Sequence, residues 1–581
     1  MVKQTHNTAS LETASLIVGS LISCGVRKFA YCSGSRNAPF AYALARYEQA
    51  GLATVCTFAE ERGAGFWAVG ALQGAKDADS SVAVITTSGT AVSELHPAIE
   101  EAKYLSLPLV VVTADRPFEL QGVGANQTTE QNGIFGASVV ADAQIPAIDD
   151  PDDPGMRRAI TSRVRRLTAR GSGHGGLPGP VHLNVCLREP LAPGNGTTST
   201  STSVVELPSV GPSFSSGTGV YWSQVVDPTL RTVVVAGDGP GKREGSHTRL
   251  VAEYASELGI PIIAEPSSGL CDLVSWLPHG PLVADRLLRD LENNTDESVE
   301  QIIVVGRPTL SREVERLLGN IGGNGTKKIV VSPSERWQDV TGTATDVVSD
   351  LLPDPNGESE ASFDVARRNW QQYCRQIAAD VETVVREESR GLGHLGAARM
   401  IWRHSRDISL WLAASNVIRS FDLGASAPGA RSVYSNRGLA GIDGTIASAL
   451  GLQQQLGTPV RAVLGDLSFT YDLPSLSARP SGDQDIQLIV FEDGGGSIFH
   501  SLEHGPATDW ETYQKYFGIP QSLDVCAVAQ ACGWKTESVQ SIEELRAIMV
   551  SPVKGRSLVR IPLELPTERF EAVRTRASLL S

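Results

Sequence analysis

Short β-branched apolar runs alternate with stretches of helical spacing along most of the chain. Near the N-terminus, Ser81 to Thr86 is one such run, Gly89 to Ala102 has helical spacing with an acidic end, and Leu107 to Thr113 is apolar again. Strand, helix, strand is the unit a parallel sheet requires, because its crossovers must run back over the sheet face. In the middle, Thr232 to Ala236, Pro261 to Ala264, Ile302 to Val305 and Lys328 to Val331 are predicted strands, with helices over Thr248 to Glu257 and Leu310 to Leu318. The C-terminal part offers Ser409 to Ala413, Ser432 to Ser435, Val460 to Leu464 and Ile486 to Phe491.

Two stretches interrupt the pattern. Leu191 to Gly219 is dominated by Gly, Pro, Ser and Thr, and Leu352 to Ser362 runs Pro-Asp-Pro-Asn-Gly before turning acidic. Both predict exposed irregular chain. They separate residues 1–190, 220–352 and 363–581. The expected architecture is three α/β domains, each a doubly wound parallel sheet with ligands at the carboxyl ends of its strands.

Composition narrows the function. With 50 Lys+Arg against 65 Asp+Glu in 581 residues, the net charge of −15 argues against a general nucleic-acid binder. An apolar share of 41% can fill several cores and excludes a disordered chain. Met1 to Ser10 is polar, and runs such as Leu107 to Val112 are too short to span a bilayer, so no membrane insertion is expected. The eight cysteines form no C-x-x-C pair, the closest two being Cys526 and Cys532, which points to a reducing, cytoplasmic setting without a zinc site or disulfide framework.

Candidate chemistry sits at predicted strand ends. Gly465-Asp466-Leu467 closes one strand, and Asp493 ends the next, just before Gly494-Gly495-Gly496. Two carboxylates and a glycine carbonyl suit a hard divalent cation carrying a diphosphate. A helix cap at Asp466 with a plain glycine loop is the other reading. Thr57 to Ala68 opens a small-residue helix at another strand end, with Glu61 placed either to act on a ligand or simply to suit the helix dipole. Ser33-Gly34 and Ser88-Gly89 would place backbone N–H groups at helix N-termini where an anion can bind, although each alone is more often an ordinary turn. Gly237 to Lys242 resembles a phosphate loop, but Ala236 and Arg243 stand where Gly and Ser or Thr are required, so an ordinary turn is expected there.

Together, the Glu61-Arg62-Gly63-Ala64-Gly65 helix, the Thr87-Ser88-Gly89-Thr90 turn and Gly465-Asp466 followed by Asp493 resemble the thiamine diphosphate-dependent enzymes of the decarboxylase type, which have three α/β domains. Cys32 to Pro39, Thr113-Ala114-Asp115-Arg116-Pro117, Gly124 to Thr128 and Ser435 to Gly444 are similar to the menaquinone-pathway branch of that family. The resemblance implies a transferase that decarboxylates 2-oxoglutarate and adds the succinyl carbanion to isochorismate. It further implies thiamine diphosphate with Mg²⁺ or Mn²⁺ as cofactors. A homodimer or homotetramer also follows, with the cofactor between the first domain of one subunit and the third of another.

By the same resemblance, Glu61 is the carboxylate at N1′ of the aminopyrimidine, favouring the imino tautomer whose 4′-nitrogen removes the thiazolium C2 proton. Burial there would favour its protonated form. Ser88, Gly89, Leu467, Ser468, Ile498, Phe499 and Leu502 line the cofactor, the last three from the next helix. Asp466, Asp493 and the Gly495 carbonyl hold the metal; many relatives carry Asn at the position of Asp493 and Gly at that of Leu467. The two substrates bring two carboxylates each and one leaves as CO₂, so several arginines are needed. Arg36, Arg116, Arg312, Arg419 and Arg437 match basic positions, and Asn126, Gln127 and Ser415 match polar ones. Arg36, Arg116, Arg419, Arg437, Gln127 and Ser415 join Glu61 as the catalytic set. Ser311 stands where some relatives are basic. Two other readings stay open: a carboligase for another 2-oxo acid, such as acetolactate synthase, and a non-catalytic regulatory subunit on the same fold. The arginine set argues against the first, since pyruvate keeps no carboxylate after losing CO₂, and Glu61 beside Asp466 and Asp493 argues against the second.

Overall fold

The computed structural model describes residues 9–580 apart from 76–80, 151–152, 175, 194–218, 240–245, 323–324, 334–336, 356–364, 428–429, 431, 479–481, 483 and 566. Residues 194–218 and 356–362 of the expected linkers, and 240–242 of the turn at 237–242, lie outside the described residues. Two compact units form: one comprises residues 1–214, 436–458 and 471–485, the other 215–435, 459–470 and 486–581.

The first unit holds a six-stranded parallel sheet of β1 (Lys28–Cys32), β2 (Thr54–Phe58), β3 (Val82–Thr86), β4 (Leu109–Asp115), β5 (Ala141–Ile145) and β6 (Val181–Cys186). Its order is β2-β1-β3-β4-β6-β5. Every residue of β3, β4 and β6 is buried, which is why these segments read as unbroken apolar runs rather than alternating ones. The helix expected over Gly89 to Ala102 is in fact two, Thr90–Ser93 and α2 (His96–Tyr104; α1 is described below). Pro97 is the cause: it has no N–H to continue the preceding turn and instead starts a new helix.

Helix α1 (Glu61–Gln73) and helix α3 (Thr445–Leu456) pack directly against each other in this unit. Glycine makes the approach possible. A Cβ on Gly70 would lie 1.9 Å from the Ser448 carbonyl oxygen, and one on Gly451 would lie 2.0 Å from that of Trp67. Backbone therefore meets backbone from both sides, and Ser448 Oγ donates to the Phe66 carbonyl at 3.0 Å. The first N–H groups of α3 are satisfied by buried Asp472, whose Oδ2 accepts from Ile446 and Ala447 at 2.7 and 3.0 Å. Burial pushes the Asp472 carboxyl up to about 6.

The second unit holds two further six-stranded parallel sheets. The central one contains β7 (Thr232–Ala236), β8 (Ile262–Ala264), β9 (Trp276–Leu277), β10 (Gln301–Val305), β11 (Lys327–Val331) and β12 (Asp346–Val348), ordered β9-β8-β7-β10-β11-β12. The other contains β13 (Ser409–Leu412), β14 (Val433–Tyr434), β15 (Val460–Gly465), β16 (Ile486–Glu492), β17 (Lys535–Ser538) and β18 (Arg556–Pro562), ordered β14-β13-β15-β16-β18-β17. Counted from its own first strand, this order repeats that of the first sheet. Three doubly wound sheets are thus present, as the alternating pattern predicts. Among the described residues, no helix is long and apolar enough to cross a membrane.

The glycine contact between α1 and α3 generates the first prediction. Gly451→Ala should lower stability by about 1–3 kcal/mol through overpacking, seen as a lower urea midpoint at unchanged slope; an unaltered midpoint would show that the helices part without cost.

Candidate active site

In the first unit, strand order reverses between β1 and β3, which opens a crevice beyond their carboxyl ends. The Ser33-Gly34 turn follows β1 and Thr87-Ser88-Gly89 follows β3. They touch: a Cβ on Gly34 would sit 2.4 Å from the Thr87 Cβ. Glu61 begins α1 after β2 and is half-buried, with Thr86 Oγ1 donating to its Oε1 at 3.3 Å. Burial raises the Glu61 carboxyl above its ordinary range, with the Glu60 and Glu94 charges adding to the push against the lowering effect of Thr86. Glu60 is occupied otherwise, capping α1 by accepting from Gly63 N at 2.7 Å.

Around this crevice lie several predicted site residues. Arg116 is buried and donates to Ser88 Oγ and, at 2.6 Å, to the Gln127 carbonyl. Gln127 returns a bond from its amide to the Ser88 carbonyl at 3.0 Å. Asn126, beside it, is exposed. Arg36 is buried, donates to the Leu187 carbonyl at 2.9 Å and lies 3.6 Å from Glu189. Burial lowers its affinity for the proton, and the nearby Arg116 charge lowers it further. Two buried guanidiniums in mutual repulsion form a receptive place for anions. Arg437 is also buried and belongs to this unit.

Three polar residues here were not foreseen. Gln131 accepts from Gly89 N at 3.1 Å and donates to the Ala114 carbonyl and Asn184 Oδ1. Asn184 in turn donates to Asp115 Oδ2 at 2.9 Å. Gln131 and Asn184 tie the Gly89 turn to β4 and β6 through contacts that no local spacing reveals. Thr86, the third, had its signal in the strand-ending Thr86-Thr87-Ser88 run.

The second unit repeats the arrangement at its own reversal, between β13 and β15. Beyond β13, Ser415 has φ 71°, an uncommon conformation for a residue with a side chain, and precedes the helix Asn416–Gly424. Arg419 folds back to donate to the Ser415 carbonyl at 2.9 Å. Beyond β15, buried Asp466 starts its helix directly and accepts from Leu467 N at 2.7 Å and from Gly494 N and Gly495 N at 3.0 Å. The buried Ser468 lies two residues after Asp466. Asp493 directly follows β16, and Ser497 Oγ donates to it at 2.6 Å while Asn416 donates to Ser497 at 2.9 Å. His394 Nε2 stands 3.3 Å from the same carboxylate. Burial raises both acids, Asp493 to about 7, and the Asp466 charge contributes to that rise. Two buried acids held above their ordinary range, Asp493 in part by the Asp466 charge and Asp466 in part by that of Glu492, are a charge distribution that a hard divalent cation relieves.

The expected helix carrying Ile498, Phe499 and Leu502 is instead a 3₁₀ turn, Ser497–Ser501, with Leu502 just outside it in extended conformation. The glycine run is the reason: Gly496 N donates to the Gly518 carbonyl at 2.5 Å, pinning the chain before a helix can start. Arg312, at the start of the helix Arg312–Gly319, is largely exposed and 3.6 Å from Glu503, while Ser311 caps that helix through Val314 N.

Sequence comparison agrees with this distribution. Residues 11–134 match the thiamine pyrophosphate enzyme N-terminal TPP binding domain, and residues 422–561 match the C-terminal TPP binding domain. Over 95% of both chains, the protein is 38% identical to a relative from Kineococcus radiotolerans named 2-succinyl-5-enolpyruvyl-6-hydroxy-3-cyclohexene-1-carboxylate synthase. The chain belongs to that synthase family. Synthases of the same name from Renibacterium salmoninarum, at 36% identity over 98% of this chain and 97% of theirs, and from a Nocardioides strain, at 35% over 98% of each, resemble it equally fully. Membership of the synthase family accounts for the two thiamine-binding domain matches and for the doubly wound sheets they span.

The Glu61 environment generates a pH prediction. A folded-state pKa above the unfolded one means that the folded chain keeps its proton longer. The stabilisation from Glu61 is therefore full in acid and is lost as pH rises through the folded pKa. Thr86→Val removes the bond that opposes this rise, so the fall in stability should move to higher pH and grow larger, measured as Tm against pH relative to the parent. A superimposable profile would mean that Thr86 leaves Glu61 untouched.

Proposed function

We propose that this chain decarboxylates 2-oxoglutarate and transfers the remaining four-carbon unit to isochorismate, with thiamine diphosphate and Mg²⁺ or Mn²⁺ as cofactors, acting as a homodimer or homotetramer in the cytoplasm. The near-full-length similarity to synthases of that product carries the reading. Bound thiamine diphosphate supplies the nucleophilic carbon and the electron sink that decarboxylation of a 2-oxo acid requires.

The chain's own residues set the rest. Glu61 would hold a proton against N1′ of the aminopyrimidine, and the upward push that burial gives its carboxyl suits that sharing. Ser88 and Gly89 in the first unit, and Leu467, Ser468, Ile498, Phe499 and Leu502 in the second, would contact the cofactor. Asp466, Asp493 and the Gly495 carbonyl supply hard oxygens for the cation that neutralises the diphosphate. Arg36, Arg116, Arg419 and Arg437 receive the substrate carboxylates, with Arg312 at the periphery and Asn126, Gln127 and Ser415 as hydrogen-bonding partners. The neighbouring buried guanidiniums of Arg36 and Arg116, in a chain of net charge −15, focus attraction for dianionic substrates on the first unit.

The decisive experiment follows isochorismate loss and CO₂ release with thiamine diphosphate and Mg²⁺, with and without 2-oxoglutarate. Isochorismate loss that depends on 2-oxoglutarate and is matched by CO₂ is expected; CO₂ release indifferent to isochorismate would assign another acceptor. Glu61→Gln should retain cofactor affinity in calorimetry and lower kcat by about 10²-fold or more, whereas undiminished turnover would remove Glu61 from the chemistry. Asp466→Ala should abolish Mg²⁺-dependent cofactor binding. In the parent, Mg²⁺ affinity should rise with pH up to about 7, where Asp493 loses its proton; pH-independent affinity would contradict the ligand assignment.

A further inference from the structure

The backbone around Arg437 is fixed by side chains to which the reaction described above gives no part. On the preceding side, Asn436 accepts from Gln73 Nε2 at 3.1 Å and donates to Ser448 Oγ at 3.1 Å, so α1 and α3 both grip it. On the following side stands Glu101 of α2, only 3% exposed. Its Oε1 accepts from Gly438 N and its Oε2 from Leu439 N, each at 2.7 Å. One carboxylate thus satisfies two successive peptide N–H groups in a fork, with the short distances of charge-assisted bonds.

Glycine at 438 is required by this contact rather than by its backbone angles. A Cβ there would stand 2.8 Å from the Glu101 carbonyl oxygen and 2.9 Å from its Cδ. Burying an ionised carboxylate is costly, and a neutral residue could fill the same volume. What the carboxylate adds is a defined position for the two peptides that follow Arg437. A guanidinium on a loop free to move would have to be ordered anew each time a substrate bound, at the expense of affinity.

We propose that Glu101 is a positioning residue: by clamping the Gly438 and Leu439 amides it preorganises Arg437 to receive a substrate carboxylate. The inference rests on the reading of Arg437 as a carboxylate partner. Because that grip is maintained from ground state to transition state, loss of positioning should raise KM for one of the two substrates and leave kcat nearly unchanged.

Three variants test it: Glu101→Gln, Arg437→Ala and the pair combined, with Tm and thiamine diphosphate affinity measured alongside KM for 2-oxoglutarate and for isochorismate. Glu101→Gln keeps the volume but weakens the fork, and should raise KM about tenfold or more for the same single substrate that Arg437→Ala affects. Tm and cofactor affinity should match the parent, and the double variant should be no worse than Arg437→Ala alone. Gly438→Ala, which displaces the carboxylate from the other side, should reproduce the KM defect and replaces Glu101→Gln if that variant does not fold. Multiplying losses in the double variant, or a Glu101→Gln enzyme with parental KM values, would overturn the positioning role alone. Normal KM values for Arg437→Ala would remove the carboxylate reading beneath it and the proposal with it.

Discussion

A parallel sheet covered on both faces leaves its strand ends as the place where polar groups can meet a ligand without breaking the core. Every residue of β3, β4 and β6 is buried, and the same holds for β7 and β10. The predicted site residues accordingly appear where a strand stops: Ser88 just beyond β3, whose last residue is Thr86, Ser415 beyond β13, Asp466 beyond β15 and Asp493 beyond β16. Strand order then selects among the ends, because only at a reversal do the crossovers leave on opposite faces and open a crevice. The first and third sheets share one order, and in both the predicted site residues gather at the reversal.

Burial at those ends shapes the acid–base chemistry. Glu61, Asp466 and Asp493 are all held above their ordinary range chiefly by desolvation. What separates them is their partners. Asp466 accepts three backbone N–H groups, Asp493 has a serine hydroxyl, the nearby His394 ring and the added repulsion of Asp466, and Glu61 a threonine hydroxyl. These differences follow from where the chain turns after each strand, so the electrostatics of the site is a consequence of loop geometry as much as of residue type.

The alternation of apolar runs and helical spacing carried most strand positions to within two residues, as with Val82–Thr86 and Gln301–Val305, because a fully buried strand must be apolar throughout. It said less where local chemistry overrode spacing. Pro97 split one helix, and the Gly494 to Gly496 run turned another into a single 3₁₀ turn. Arg461 shows a different gap: it lies fully buried inside β15, with its guanidinium bonded to Gln487 Oε1 and the carbonyls of His404 and Met549, and burial lowers it to about 10. Such a residue is tolerated only because partners from distant segments converge on it.

The sequence by itself determined the class of fold, the family, and which acids and arginines were candidates, since periodicity, glycine turns and short motifs are local properties of the chain. Tertiary structure decided which candidates share an environment. It placed Arg36, Arg116, Ser88 and Gln127 around one reversal, left Arg312 exposed, and recruited Gln131, Asn184 and Glu101, whose partners lie dozens to hundreds of residues away. Burial and hydrogen bonding between such distant segments depend on how helices and strands pack, and no spacing along the chain encodes them.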